Sequence, residues 1–250
     1  MVNSCVALGR PCIIHGVRGT GKTYLLTNLR PHWRCDGIQD TPDAVIFFSA
    51  TPVDNPVGVF RALISRVTYE PPPSNRPSEL RFFFENALLQ SSIRLIIIDD
   101  AESVKIDLFR LIWASLETVR SQGHPVGMVV SHTEHSGQLD LLPSPPDIAN
   151  ILPVFGTFNL VPLTFSQCVI ALSHWLPQFG PVVETLKKND QSEDFRRAAH
   201  LASEVLRLTR GLLLELSDLA FVWNQNFRDA PPNQETLRKI CLFRGQAPPP

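Results

Sequence analysis

The chain has 250 residues, 44% of them hydrophobic and 19% charged, a balance that suits one sizeable α/β core with a small appendage and excludes a tail or linker. Its 23 basic and 24 acidic side chains leave a net charge of −1, so no global basic field exists, and any nucleic-acid contact must come from a local patch or one assembled by several subunits. Cys5, Cys12, Cys35, Cys168 and Cys241 form no C-x-x-C pair and no run reaches membrane-spanning length, which together read as a soluble cytoplasmic protein with reduced thiols and no zinc site.

Met1–Arg10 is too short for a domain, so no recruitment segment is expected ahead of the first strand, predicted in Pro11–His15. That strand feeds Gly16-Val17-Arg18-Gly19-Thr20-Gly21-Lys22-Thr23, a complete G-x-x-x-x-G-K-[ST] loop, with Tyr24 next in line. Glycines allow backbone N–H groups to close around phosphate oxygens, the following helix points its positive end at them, and Lys22 adds a point charge. Thr23 is placed to ligate magnesium. The pattern predicts a nucleoside triphosphate bound through residues Gly16 to Tyr24.

A helix is expected from Lys22 to about Leu29, stopped by Arg30-Pro31, because the residue before a proline is pushed out of the helical region. Ala44–Ser49 reads as a second buried strand. Asn55-Pro56 opens a helix whose Phe60, Leu63, Ile64 and Val67 fall three and four apart. Pro71–Asn75 is a stiff connection, and Leu80–Leu89 a further helix. Ile93-Arg94-Leu95-Ile96-Ile97-Ile98-Asp99-Asp100 then reads as a parallel strand buried on both faces, its carboxylates emerging at the end where open α/β sheets bind ligands.

Ile106–Arg120 repeats helical spacing, Val126–Ser131 makes another strand, Leu141–Pro153 is a proline-rich loop around a short helical piece, and Phe155–Val161 is the last strand. Only helical patterns follow: Phe165–Trp175, Phe195–Leu208, Gly211–Trp223 and Glu235–Phe243. Trp113, Trp175 and Trp223 fall on apolar helical faces and read as core. Strands alternating with helices, then helices alone, predict a parallel α/β nucleotide-binding sheet over residues 1–161, a helical subdomain over 162–245 and a frayed tail over 246–250.

Loop, acidic strand, polar-ended strand and C-terminal helices, in this order, resemble an AAA+ P-loop ATPase over nearly the whole chain. The resemblance implies ATP and Mg2+ as cofactors, with Thr23 and Asp99 (the Walker B carboxylate) serving the metal. It implies that Ser131 occupies the sensor 1 position, which orients the attacking water, and that Arg210, in Thr209-Arg210-Gly211-Leu212, is the sensor 2 arginine. Phe48–Pro56 and Val130-Ser131-His132-Thr133-Glu134 are similar to stretches of transposition-regulator ATPases of the TniB/TnsC type. That likeness implies a homo-oligomeric ring or filament, assembly on double-stranded DNA, and a transposase or target-selection protein as partner.

Two departures weaken the expected chemistry. Asp100 stands where many AAA+ members carry the glutamate that polarises water, and it is one methylene shorter, an error of position that costs rate. Glu102 reads as a solvated loop charge. Between Arg120 and Lys187 the chain has no lysine or arginine, and Val154-Phe155 stands where related ATPases carry an Arg-Phe pair. Either the arginine finger comes from another element, such as Arg110 or Arg120, or the site binds ATP well and turns it over poorly.

For DNA, Arg61, Arg66, Arg76 and Arg81 are the candidate contacts; Lys187-Lys188 and Arg196-Arg197 read as solvated helix faces. His132 and His135 lack a third ligand at usable spacing and read as ordinary loop histidines. The alternative to a DNA-associated switch is a nucleotide-dependent protein scaffold that does not touch DNA; a signalling or secretion ATPase is a third reading.

Overall fold

The computed structural model describes residues 10–32, 44–51, 55–72, 74–101, 106–134, 156–188, 192–243 and 245, so the expectations placed on Cys5, Cys35, Glu102, His135, residues 141–155 and the tail beyond 245 lie outside the described residues. The chain divides into two compact units, residues 1–17 with 22–160 and residues 18–21 with 161–250.

The first unit is built on five parallel strands: β1 (Pro11–Val17), β2 (Val45–Ser49), β3 (Leu95–Asp99), β4 (Gly127–Glu134) and β5 (Gly156–Asn159), in the order β2-β3-β4-β1-β5. Between them run α1 (Lys22–His32), α2 (Pro56–Thr68), α3 (Pro77–Leu89) and α4 (Ile106–Ser121). Alternate side chains of a strand leave by opposite faces, so a sheet covered on both sides needs unbroken apolar runs. Ile96 and Ile98 of β3 join Ile13, Phe60, Phe84 and Phe109 in one core cluster, while Leu95 and Ile97 join Cys12, Ile14, Leu26 and Val129 in another. Phe60 and Phe84 meet edge to face at 5.5 Å, which locks α2 to α3.

Local signals hold at most boundaries. Asn55 caps α2 by accepting the Gly58 N–H at 2.8 Å, with Pro56 at the first helical position. α1 runs to His32, past its expected stop, because the restriction before proline is a bias that one turn of helix can override. β4 extends to Glu134, held by pairing with β1 as far as Val17.

In the second unit are α5 (Phe165–Trp175), α6 (Gly180–Lys188), α7 (Glu193–Thr209), α8 (Leu213–Asn226) and α9 (Gln234–Phe243), with a single turn of 3-10 helix at Pro177–Phe179. Neither that turn nor α6 is predicted above. Pro177, Gly180 and Pro181 read as breakers, yet proline is tolerated in a first helical turn, where its missing N–H has no intrahelical partner to lose. The core gathers Val169, Leu172, Phe179, Val205, Leu216 and Trp223, with Phe179 and Trp223 edge to face at 5.1 Å. Trp175 is 40% exposed, which corrects its reading as core; it closes α5, where the apolar face runs out. Gly211 has φ +70°, and a Cβ there would lie 2.3 Å from the Leu163 carbonyl oxygen, so the approach of these segments needs glycine. No helix among the described residues is long and apolar enough to cross a membrane.

At the amino ends of β3 and β4, away from the loop, half-buried Arg94 and buried His124 make a polar pair. The Arg94 Nη1 donates to the Ile93 carbonyl at 2.9 Å and lies 3.0 Å from the His124 Nδ1, while the His124 Nε2 is 3.0 Å from the Ile93 carbonyl. The same Nη1 faces the His124 Nε2 as well, and a guanidinium only donates, so the ring accepts from it as the neutral imidazole. Burial, then the Arg94 charge, push the His124 pKa down, against the pull of the Ile93 carbonyl. The unfolded chain therefore takes up a proton near the ordinary value of about 6.5 while the folded one resists, and stability falls as pH drops through that value toward the lower folded pKa. Thermal unfolding from pH 7.5 to 5.5 should show a steeper loss for the wild type than for His124→Gln, which cannot titrate.

Candidate nucleotide-binding site

β1 ends at Val17 and α1 begins at Lys22, so the glycine loop is the turn from a central strand into a helix. Gly19 and Gly21 have φ +89° and +95°, values that side-chain-bearing L-residues rarely adopt. Lys22 is 6% exposed, and its Nζ donates to the carbonyls of Gly16 at 2.8 Å and Val17 at 3.1 Å, which places the ammonium at the carboxyl end of β1. Thr20 is buried, Arg18 and Thr23 are exposed, and Tyr24 is 70% exposed. Residues 18–21 cluster with the second unit, where the Leu214 N–H donates to the Gly19 carbonyl at 3.1 Å.

The acidic end of β3 lies two strands from the loop, with β4 between them. Asp99 is fully buried; its carbonyl accepts the Ala50 N–H at 2.9 Å. Its Oδ1 accepts a short hydrogen bond from the Ser131 hydroxyl, whereas Oδ2 is buried with no hydrogen-bond partner. A buried carboxylate oxygen without a partner is costly unless a cation or donor meets it. That orphaned oxygen is the feature of this structure that fits a divalent metal. Asp99 through Oδ2, together with Thr23, are the residues that would hold magnesium, which usually keeps several waters and supplies charge that neutralises phosphate oxygens.

Asp100 turns out of the strand with φ +54°, and its N–H donates to the Ser131 hydroxyl at 3.0 Å. Ser131 is fully buried on β4, opposite Ile14 of β1. Asp99, Asp100 and Ser131 are thus brought together by direct bonds. His132 and Thr133, next on β4, are buried beside His15 and Gly16, so His132 belongs to the strand and not to a loop.

Arg210 is described within the second unit alone. It is the exposed C-cap of α7, left-handed at φ +53°, and it precedes α8 by two residues without being part of it. Among the arginine-finger candidates, Arg110 pairs with Asp107 at 3.2 Å and Arg120 with Glu117 at 2.5 Å. Of the basic residues proposed for DNA, Arg76 pairs with Glu79 at 3.2 Å and Arg81 with Glu85 at 2.8 Å. Arg61 bonds Asn75, and Arg66 lies over the Phe48 ring at 5.3 Å; neither has a carboxylate partner among the described residues. The bond between Ser131 and the two acids, and the left-handed turn at Asp100, are what the sequence does not display. An aspartate directly after a buried strand is the one hint, since Asp and Asn tolerate that backbone best after glycine.

The family described as AAA domain matches residues 8–137, just over half of the chain. No curated protein matches the sequence significantly. Among solved structures, C. elegans PCH-2 is similar at a TM-score of 0.55 and 14% identity, covering 90% of this chain and 61% of that one. Drosophila ORC bound to DNA gives 0.52 and 12%, covering 94% and 57%. Thermotoga maritima RuvB gives 0.55 and 14%, covering 97% and 68%. The chain therefore spans between 57% and 68% of the length of these structures, and at such identities the likeness is one of fold.

The turn at Asp100 yields a stability test that does not depend on any ligand. Asp100→Val should lower unfolding free energy by about 1–2 kcal/mol more than Asp100→Asn, measured by urea denaturation, because a β-branched residue is strained at positive φ and asparagine is not.

Proposed function

The chain belongs to the AAA domain family, and from that premise we propose that it is an ATP-binding switch that assembles with copies of itself in a nucleotide-dependent way, on double-stranded DNA. The observation that carries the nucleotide part is the juxtaposition across β1, β4 and β3 of a buried lysine at the head of a complete phosphate loop and a buried carboxylate with an orphaned oxygen. Lys22 neutralises phosphate charge, the loop N–H groups surround it, and Asp99 and Thr23 serve Mg2+.

DNA enters as a proposal supported by one solved neighbour, Drosophila ORC, whose structure is bound to DNA. With a net charge of −1, contact has to be local. Arg61 and Arg66 are the best placed, since Arg76 and Arg81 already face carboxylates that offset part of their charge. A transposase or target-selection protein as partner is the finer proposal; it rests on the likeness of Phe48–Pro56 and Val130–Glu134 to TniB/TnsC-type stretches. The second reading, a nucleotide-dependent protein scaffold that does not bind DNA, is favoured by the near-neutral charge and by those same ion pairs.

Hydrolysis is proposed to be slow. Asp100 is the short acid at the position of the water-polarising group, and Arg110 and Arg120 are engaged by acids of their own helix. Arg210 remains the proposed sensor 2 cation.

Equilibrium dialysis with ATP should show binding by the wild type and none by Lys22→Ala; equal binding by both would remove the loop from the proposal. Electron microscopy with a slowly hydrolysed ATP analogue should show rings or filaments that need nucleotide and lengthen or multiply with duplex DNA, whereas assembly indifferent to DNA selects the scaffold. If DNA is bound, Arg61→Ala and Arg66→Ala should each reduce the slope of log affinity against log salt by about 1. Asp100→Glu should raise turnover, and a fall would show that the aspartate is already well placed.

A further inference from the structure

We propose that Ser131 is a positioning residue for the magnesium carboxylate and that its hydroxyl does not address the reacting phosphate or the attacking water; this rests on the nucleotide site described above. A serine hydroxyl has one hydrogen and two lone pairs. The hydrogen is given to the Asp99 Oδ1, and one lone pair receives the Asp100 N–H at 3.0 Å. No donor is left for a phosphate oxygen, and the side chain is fully buried on a strand whose neighbours on both sides are paired.

What the hydroxyl does for Asp99 follows from the torsion of a carboxylate. Rotation about the terminal bond of aspartate is broad and two-fold, so without a fixed partner the two oxygens exchange places. The Ser131 bond holds Oδ1 inward, and Oδ2, buried and without a partner, is the oxygen left to a metal. The same hydroxyl ties down the Asp100 N–H at the left-handed turn, so carboxylate and turn are fixed by one atom. Partners that orient a metal ligand typically contribute about 10–100-fold in metal affinity or activity.

The test is fluorescence titration of full-length protein with a ribose-labelled ATP analogue, in EDTA and across a Mg2+ series, for wild type, Ser131→Ala, Ser131→Cys and Ser131→Thr. Expected is an affinity in EDTA unchanged within about twofold for every variant, with the Mg2+ concentration for half-maximal tightening raised about tenfold in Ser131→Ala. Ser131→Thr, which keeps the hydroxyl, should restore the wild-type midpoint, and Ser131→Cys, a weak donor of nearly the same shape, should fall between. Should Ser131→Ala lack a cooperative melt, the cysteine variant decides the question. An unchanged Mg2+ midpoint with reduced turnover would place the hydroxyl on the reacting phosphate and overturn the inference while leaving the nucleotide site intact. Absence of any nucleotide binding by the wild type would overturn both.

Discussion

Asp99 is an ionisable carboxylate with no solvent exposure at the end of a strand of leucine and isoleucine, and the first unit is organised around making that tolerable. Such a group lifts its own desolvation cost only through close partners. One oxygen is met by Ser131, which requires β4 to lie directly beside β3; β1 pairs with β4 on its other side, and the Lys22 Nζ bonds the Gly16 and Val17 carbonyls at the carboxyl end of β1. The strand order β2-β3-β4-β1-β5 puts β4 between the acidic end of β3 and the phosphate loop. The second oxygen, buried like the first, is left without a hydrogen-bond partner.

The apolar framework explains why the polar residues can be so exactingly placed. β3 sends Ile96 and Ile98 into one core and Leu95 and Ile97 into the other, so it cannot slip by a residue without exchanging its two packed faces. Asp99 is therefore held in register by the four residues before it. The Phe60–Phe84 contact and the Asn55 cap fix the helices on one side, and Leu26 of α1 packs on the other. Lys22 begins that same helix, so packing of α1 against the sheet also positions the ammonium.

Most of this framework is legible in the sequence because it depends on period and composition. Strands buried on both faces write themselves as unbroken apolar runs, and the loop writes itself as glycines around a lysine. β5 is less legible: Gly156–Asn159 is an edge strand, mostly exposed, and is shorter than the apolar pattern of Phe155–Val161 suggests. α6 is hidden because Gly180 and Pro181 read as breakers while sitting in a first turn, where they do no harm. At the site, Asp99 and Ser131 can each be singled out by position, but the bond between them spans 32 residues and exists only through the parallel register of β3 and β4. Arg210 shows the opposite problem. Its sequence pattern suggests the start of a helix, and the backbone makes it the end of one, since Gly211 follows at positive φ and breaks the chain direction.

The left-handed turn at Asp100 bears on the shortness of that acid. Residues at φ near +54° are glycine, asparagine or aspartate far more readily than glutamate, because their side chains clash least or bond locally to the backbone. With the Asp100 N–H committed to Ser131, the turn is held in place, and a longer acid would gain reach only by straining this backbone or by releasing the Ser131 bond. Reach for water and fixity of the metal carboxylate are then opposed through a single hydroxyl. Under the proposed function, a site resolved in favour of fixity would bind its nucleotide in a defined geometry and hydrolyse it reluctantly, the behaviour a switch needs when the bound state, and not turnover, is what its partners read.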